Sequence, residues 1–293
     1  MYLSRITYKA GITDDPTSLA ALFAGSYSYH QQLWELFDDS ERQFLYRIEL
    51  AEEQFSQDMG IRGVPVFYVL SPQPPASSSK RFDVVCKPFA PNFSEGQKLG
   101  FRTRVNPVVT RAGKRHDIVM DEQRHFYASL CEQLGVDSQG SKGLLIKRLL
   151  EECSQTRLRE VLQEWLSETD KLTVSNGLTN KQLLHKGAQL SITKRLIDWL
   201  MNNPSRQGIM SIASYQHEDE WGECRQQRPA FQWQRYMLNP LPEKGRNAQF
   251  RSVDLQGELT VNDPERFNDL LKNGIGSAKG FGCGLMLVRN LTY

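Results

Sequence analysis

The chain has 293 residues, 36 of them Lys or Arg against 34 Asp or Glu, for a formal charge of +2. That length suggests two domains, and the charge balance is too mild to argue for polyanion binding, so any nucleic-acid reading must rest on where the cations cluster. Cys86, Cys131, Cys153, Cys224 and Cys283 lie far apart without a C-x-x-C pair, against a zinc site or a disulfide framework, and neither a bilayer-spanning apolar run nor a signal-type apolar region after Met1 is found, so a cytoplasmic protein without a membrane partner is expected.

Tyr2 to Tyr8 is rich in β-formers and reads as a strand. After a polar stretch from Gly11 to Ser18, Ser26 is placed to cap a helix reaching about Phe37. On that helix Tyr29, Leu33, Leu36 and Phe37 recur at helical spacing as a core stripe. Tyr27, His30 and Trp34 form a second stripe, turned about 100° from the first. Phe44, Tyr46, Ile48 and Leu50 alternate with Leu45, Arg47 and Glu49, the pattern of a half-buried strand. Val64 to Leu70 reads as a more buried strand, and the prolines at 72, 74 and 75 with Ser77 to Ser79 mark a loop. Lys98 to Val105 alternates again, with Leu99, Phe101, Thr103 and Val105 on one face. The order strand, helix, strand, strand, irregular segment, strand matches a ferredoxin-like unit, with Lys98 to Val105 as its last strand.

From Asp121 a helix runs to about Leu134, and residues 138–205 read as wholly helical. Leu158, Val161, Leu162, Trp165 and Leu166 follow the i, i+3, i+4, i+7, i+8 spacing of an apolar face. Strand character returns near Gly208 to Tyr215, at Phe231 to Leu238 and at Phe250 to Val261. Asp263-Pro264-Glu265 is a helix start, with a cap, a proline in the first turn and an acid at the positive helix end. Gly274 supplies the stop, and Leu285 to Val288 closes the chain as a strand. The expected fold is α+β, with tandem ferredoxin-like (RRM-like) domains at 1–118 and 119–293 and a helical insertion at about 138–205 in the second. The duplication is read from element order, since no internal repeat supports it. A docking surface for a partner protein is one role for the apolar helices of the insertion; plain expansion is the other.

The segment from Gly274 to Gly284 holds five glycines and Lys279. Nucleotide-binding glycine loops need a strand before and a helix after, so that a helix N-terminus faces the phosphate. Here a helix precedes and a strand follows. Glycine lets a backbone approach another chain closely, so a phosphodiester backbone is a sensible partner. Positive charge is densest at Arg102, Arg104, Arg111, Lys114 and Arg115, with a second cluster at Lys244, Arg246 and Arg251. Such runs are either solvated surface or a clamp on an A-form stem, whose deep major groove displays phosphates to basic side chains. No H-E-x-x-H or D-x-D cluster suggests a metal nuclease.

Four stretches resemble one family. Gly274 to Leu285 resembles the C-terminal glycine-rich loop of the CRISPR repeat-processing endoribonucleases, in particular the CasE subfamily that serves type I-E Cascade. Met1-Tyr2-Leu3-Ser4 resembles the subfamily's start. Tyr27 to Trp34 resembles its catalytic helix. Phe101 to Pro107 resembles a strand that ends in alanine-asparagine-proline, with Val105 here in the alanine's place. The resemblance covers roughly 1–135 and 206–293 and leaves out the helical segment. It implies a metal-independent endoribonuclease without cofactors that binds the repeat hairpin of CRISPR precursor RNA and cuts at the 3′ base of the stem. The enzyme would retain the mature crRNA and join other Cascade subunits. It places catalysis on His30 and Tyr27. The charge clusters and the close approach that glycine allows put the expected RNA contacts on the basic residues above together with Gly274, Gly276, Lys279, Gly280 and Gly282. Histidine suits either proton transfer of such a reaction. Tyr27 and His30, three apart on a helix, can reach one phosphate. The competing reading is a non-catalytic RNA-binding scaffold of the same fold, with His30 as a structural histidine beside Trp34.

Overall fold

A computed structural model describes residues 1–11, 26–37, 44–49, 64–170, 177–218, 224–241, 244–245 and 247–291. In chain order the elements are β1 (Tyr2–Tyr8), α1 (Ser26–Trp34), β2 (Leu45–Glu49), β3 (Val66–Ser71), β4 (Phe82–Pro88), β5 (Lys98–Val105), β6 (Val108–Arg111) and β7 (Lys114–Asp117). Helices α2 (Ile118–Gln133), α3 (Lys142–Glu151), α4 (Gln155–Asp170) and α5 (Asn180–Met201) follow. Then come β8 (Met210–Ile212), β9 (Ser214–Glu218), β10 (Cys224–Pro229), β11 (Phe231–Pro240), β12 (Gln249–Val261), α6 (Pro264–Asn273) and β13 (Met286–Asn290). The chain forms two compact units, one of residues 1–106 with 233–293 and one of 107–232.

The first unit holds two antiparallel sheets of the same topology, β2-β3-β1-β4 and β11-β12-β5-β13. Both orders place the first strand of the half between its third and fourth, the ferredoxin-like arrangement. The fold is therefore α+β with tandem ferredoxin-like halves and a helical insertion in the second, as expected. The fourth strand of the first sheet is Phe82–Pro88, paired to β1 from Tyr8↔Phe82 to Tyr2↔Pro88. Lys98–Val105 instead opens the second sheet, between β12 and β13. The physical reason is burial. Phe82 of β4 is sealed in the first core, whereas Leu99, Phe101 and Val105 are buried in the second sheet beside Val253, Leu255 and Leu259 of β12.

Helix α1 and the turn after it cover the first sheet with the predicted stripe: Tyr29, Leu33 and Leu36 pack with Ile6, Tyr46, Phe67, Val69 and Phe82. Strand β2 differs from its alternating pattern, because every residue from Leu45 to Glu49 is buried. The expected continuation to Leu50, the polar stretch after Gly11, the side chain of Tyr27 and Arg246 lie outside the described residues. Helix α6 starts as its sequence dictates, with Asp263 Oδ1 accepting from the Arg266 amide at 3.0 Å. Gly274 ends it at φ 72°.

In the second unit, Ala112 and Gly113 both take positive φ (47° and 74°) and turn the β6–β7 hairpin tightly. Helices α2 to α5 bury a separate core of Phe126, Leu130, Leu145, Leu158, Leu162 and Leu183. Arg206, its guanidinium 4.8 Å over the Trp199 ring, donates to the carbonyls of Trp199 and Leu200 and satisfies the end of α5. No helix among the described residues is long and apolar enough to cross a membrane.

Candidate active site

Helix α1 carries His30 on its second stripe, away from the deepest core, yet the residue is only 8% exposed. Among the described residues, three aromatic rings lie around it: Trp34 at 5.1 Å edge-on, Phe44 at 5.5 Å, and Tyr46 at 5.9 Å and nearly parallel, 14° between planes. Phe44 lies beside and Tyr46 on β2, so helix and strand together fix the imidazole. On the same helix, Gln32 Nε2 donates to Ser28 Oγ at 3.0 Å, and Gln32 Oε1 accepts from the Tyr8 hydroxyl at 2.7 Å. The bond from Tyr8 ties α1 to the first strand, and the one to Ser28 holds the Gln32 amide in place.

The glycine-rich segment is brought to this site. Its middle, Lys279 to Phe281, is one turn of 3-10 helix between two left-handed residues, Ala278 and Gly282. Tyr46 Oη donates to Gly280 O at 3.1 Å. A Cβ on Gly282 would stand 3.3 Å from Tyr46 Cε2, and one on Gly274 would stand 2.7 Å from Leu45 Cδ1. The glycines therefore let this backbone lie directly on β2, a close approach at which an added Cβ would make Leu45 and Tyr46 give way. Behind it, Gly284 N donates to Arg104 O at 2.7 Å, and Asn106 bridges to Ser277. Cys283 is fully buried, and burial pushes its thiol up to about 12, which removes it as a nucleophile at neutral pH.

Under this platform lies a buried charge network. Arg47 of β2, 1% exposed, contacts Asp254 of β12 at 3.2 Å and Glu49 at 3.5 Å. Arg104 of β5 makes a two-point pair with Asp254, Nε to Oδ1 at 3.0 Å and Nη2 to Oδ2 at 2.8 Å. Arg102 reaches Glu49 at 3.2 Å. Burial alone would raise the Asp254 carboxyl, but the hydrogen bond and charge of Arg104, then those of Arg47, outweigh it and hold it below the usual carboxylate range. Arg102 and Arg104, read from sequence as RNA contacts, thus have carboxylate partners that join β2 to the second sheet.

The other sequence-selected residues separate into groups. Lys279 sits on the 3-10 turn, and Lys244 Nζ lies 5.4 Å over the ring of Phe281, which packs on Phe250. Arg251 lies 6.0 Å over Tyr236. Gly276 turns at φ 74°. Arg111, Lys114 and Arg115 are exposed on the β6–β7 hairpin of the second unit. Sequence reasoning missed Phe44, Tyr46 and Phe281 as site residues and Asp254 as the anchor beneath them. The one available signal was the repeated charge at every second strand position, Arg47 and Glu49, then Arg102 and Arg104. Among the described residues, no group of three or more His, Cys, Asp or Glu is arranged to hold a metal ion.

Fold and site define a tandem ferredoxin-like protein in which one tyrosine, Tyr46, links a histidine of the first helix to a glycine-rich backbone turn. Residues 1–290 match the CRISPR associated protein family, and the chain belongs to that family. It is 36% identical to the Cascade subunit CasE of Escherichia coli (strain K12) over 56 residues, which span 17% of this chain and 28% of that protein. The fold is similar to that of the CRISPR endoribonuclease Cse3 bound to a 19-nucleotide RNA, with 20% identity over 99% of this chain and 100% of the other and a TM-score of 0.51. Thermus thermophilus Cse3, bound to an RNA representing a pre-cleavage complex, matches at 20% identity over 98% of each chain with a TM-score of 0.53. At such identity the likeness shows the fold.

Proposed function

We propose that the protein is a metal-independent endoribonuclease of CRISPR repeat RNA, with His30 as its catalytic histidine. The observation that carries this reading is the placement of the His30 ring beside Tyr46, whose hydroxyl holds the glycine-rich turn. Family membership and the E. coli CasE relative support the substrate class.

In this reading the 2′-hydroxyl of the nucleotide before the cut loses its proton, and its oxygen attacks the adjacent phosphorus in line with the departing 5′-oxygen. The P–O5′ bond breaks, the leaving oxygen takes a proton, and the products are a 2′,3′-cyclic phosphate and a 5′-hydroxyl. Histidine can serve at either proton transfer near neutral pH. Tyr27, one turn before His30, orients the nucleophile, since an unperturbed phenol with a pKa of about 10 is a poor base. Backbone amides and Lys279 of the Gly274–Gly282 segment hold the phosphodiester. Lys244, Arg246, Arg251, Arg111, Lys114 and Arg115 grip the stem phosphates. Arg102 and Arg104 act from below, through Glu49 and Asp254. The mature RNA stays bound, and the protein joins other Cascade subunits in the cytoplasm.

The low exposure of His30 favours a second reading, a scaffold that binds RNA without cutting it. Cleavage of the cognate repeat RNA in EDTA, with binding measured in parallel, separates the two. The proposal expects wild type to cut and His30→Ala to bind but lose a factor of about 10² to 10⁴ in rate. Binding without cleavage by both proteins would establish the scaffold. Cleavage by both would move the active site elsewhere.

A further inference from the structure

Strand β4 closes one side of the first sheet, and among the described residues no strand pairs with its outer edge. Two bonds bracket its register with β1: Lys9 N donates to Arg81 O at 2.9 Å, and Phe89 N donates to Met1 O at 2.8 Å. Antiparallel pairs alternate between bonded and non-bonded. Residues 81, 83, 85, 87 and 89 therefore turn their N–H and C=O groups to β1, and 82, 84, 86 and 88 turn theirs outward. The ends of the outward row offer no donor: the Phe82 amide donates to Ser79 Oγ at 3.1 Å, and Pro88 has no N–H. Val84 and Cys86 remain as an open window in the middle of the strand. No bulge interrupts it, since the register with β1 runs unbroken from Phe82 to Pro88. Asp83, Val85 and Lys87 share one face of β4 and are all exposed. Val85, at 68%, is the most exposed large apolar side chain among the described residues. Charges along an edge disfavour random pairing, but these two are complementary to one another.

We propose that β4 pairs with β4 of a second copy of this chain, antiparallel about a two-fold axis at Val85. In that register Asp83-Val84-Val85-Cys86-Lys87 is complementary to itself. Val84 and Cys86 of each strand exchange bonds with Cys86 and Val84 of the other, about four in all. The odd positions form the non-bonded pairs, whose side chains approach most closely. Val85 packs on its own copy at the axis, and each Asp83 faces the Lys87 of the other strand. An axis at Val84 would set Lys87 against Arg81, and an axis at Cys86 would set it against Val85, so charge selects the one register. Such a contact is isologous and closes as a dimer. One strand pair buries less than the ~1,200 Å² of a stable interface, so the dimer is weak, with a Kd on the order of 10⁻⁵ M.

Sedimentation velocity of the full chain between about 1 and 300 µM should show the weight-average coefficient rising from monomer towards dimer. Lys87→Asp sets two pairs of like charges across the axis and should weaken the dimer about tenfold or more, and Asp83→Lys should do the same. Asp83→Lys/Lys87→Asp restores opposite charges and should return Kd to within about threefold of wild type. In a Cys86→Ser background, Val85→Cys should give a disulfide-linked dimer on mild oxidation, because opposed positions of this kind lie about 4.5 Å apart at Cα. Asp83→Cys, four positions out of step with its copy, should not. The substituted side chains are exposed, so the variants should melt as wild type does. None belongs to the proposed cleavage centre, so failure of that reading leaves this one standing. Wild type monomeric up to about 300 µM, dimerisation unaffected by Lys87→Asp, a double variant no better than the single ones, or equal cross-linking at 83 and 85 would each overturn the pairing.

Discussion

The rings of His30 and Tyr46 lie 5.9 Å apart and within 14° of parallel, and the Tyr46 hydroxyl reaches on to Gly280 O. One tyrosine thus sets both the histidine and the backbone turn opposite it. Tyr46→Phe keeps the stacked ring and removes the bond to Gly280, so stability should fall by about 1 kcal/mol. Cleavage should slow several-fold at saturating RNA as the turn loosens. Tyr46→Ala opens a cavity in the first core and should cost about 3–5 kcal/mol. Thermal denaturation and single-turnover cleavage check both. A Tyr46→Phe protein equal to wild type in both assays would remove the coupling.

Gly284 should be the least replaceable glycine of the turn. It sits at φ 94°, and an added Cβ would stand 2.9 Å from Ile275 O, a backbone atom that cannot swing away. Gly284→Ala therefore combines left-handed strain of about 1–3 kcal/mol with a steric clash. Gly96, at φ 77° with nothing within 4 Å of an added Cβ, provides the comparison with strain alone. Denaturant unfolding should show Gly284→Ala losing clearly more stability than Gly96→Ala, with a matching loss of repeat-RNA affinity only at Gly284.

The contrast between these two glycines shows what a sequence can carry. The glycine density after α6 was visible at once, because local composition records a close backbone approach. What it approaches was not visible, since Leu45 and Tyr46 stand more than two hundred positions away. The stripe of Tyr29, Leu33 and Leu36 was legible because helical spacing is a local property, and the cap at Asp263 for the same reason. Strand Phe82–Pro88 was hidden because its residues after Phe82 are largely exposed, which breaks the alternation that marks a half-buried strand. Arg47 and Glu49 misled in the opposite sense. Alternating charge on β2 looks like a solvent face, yet the second sheet covers it, and only the pairing with Arg102, Arg104 and Asp254 reveals that.

That pairing should make the protein sensitive to acid. Asp254 is 2% exposed, and its carboxyl is held below the ordinary aspartate value of 3.8. Near and below that value the unfolded chain binds the proton and the folded protein does not. The stabilisation is therefore complete above pH of about 4 and lost as pH falls through the depressed folded value. Asp254→Asn removes the charge at every pH and leaves Arg47 and Arg104 buried without their common carboxylate, at a cost of about 3–5 kcal/mol. Denaturant midpoints between pH 7 and pH 3 should show wild type falling more steeply at the acid end than Asp254→Asn. Parallel curves would mean that another carboxylate governs the acid limb.

The helical insertion cannot be tested cleanly by cutting out residues 138–205. Helix α2 lies before that segment, yet its Phe126, Tyr127, Leu130 and Cys131 are buried in the core that α3, α4 and α5 complete. Phe126 packs edge-on against Trp165 at 5.1 Å and fills the space beside Gly187, where a Cβ would meet its ring at 2.5 Å. The deletion would strip all of these contacts and expose a large apolar face, so an aggregating protein is expected, whatever the insertion docks to. A point change asks the question better. Leu162 is fully buried, and Leu162→Ala should cost about 2–5 kcal/mol within this core. Native-state hydrogen exchange should then show faster exchange along α4 and α5 with protection in β12 unchanged, because the helical core has its own cluster of contacts. Equal loss of protection in β12 would show that both units unfold together.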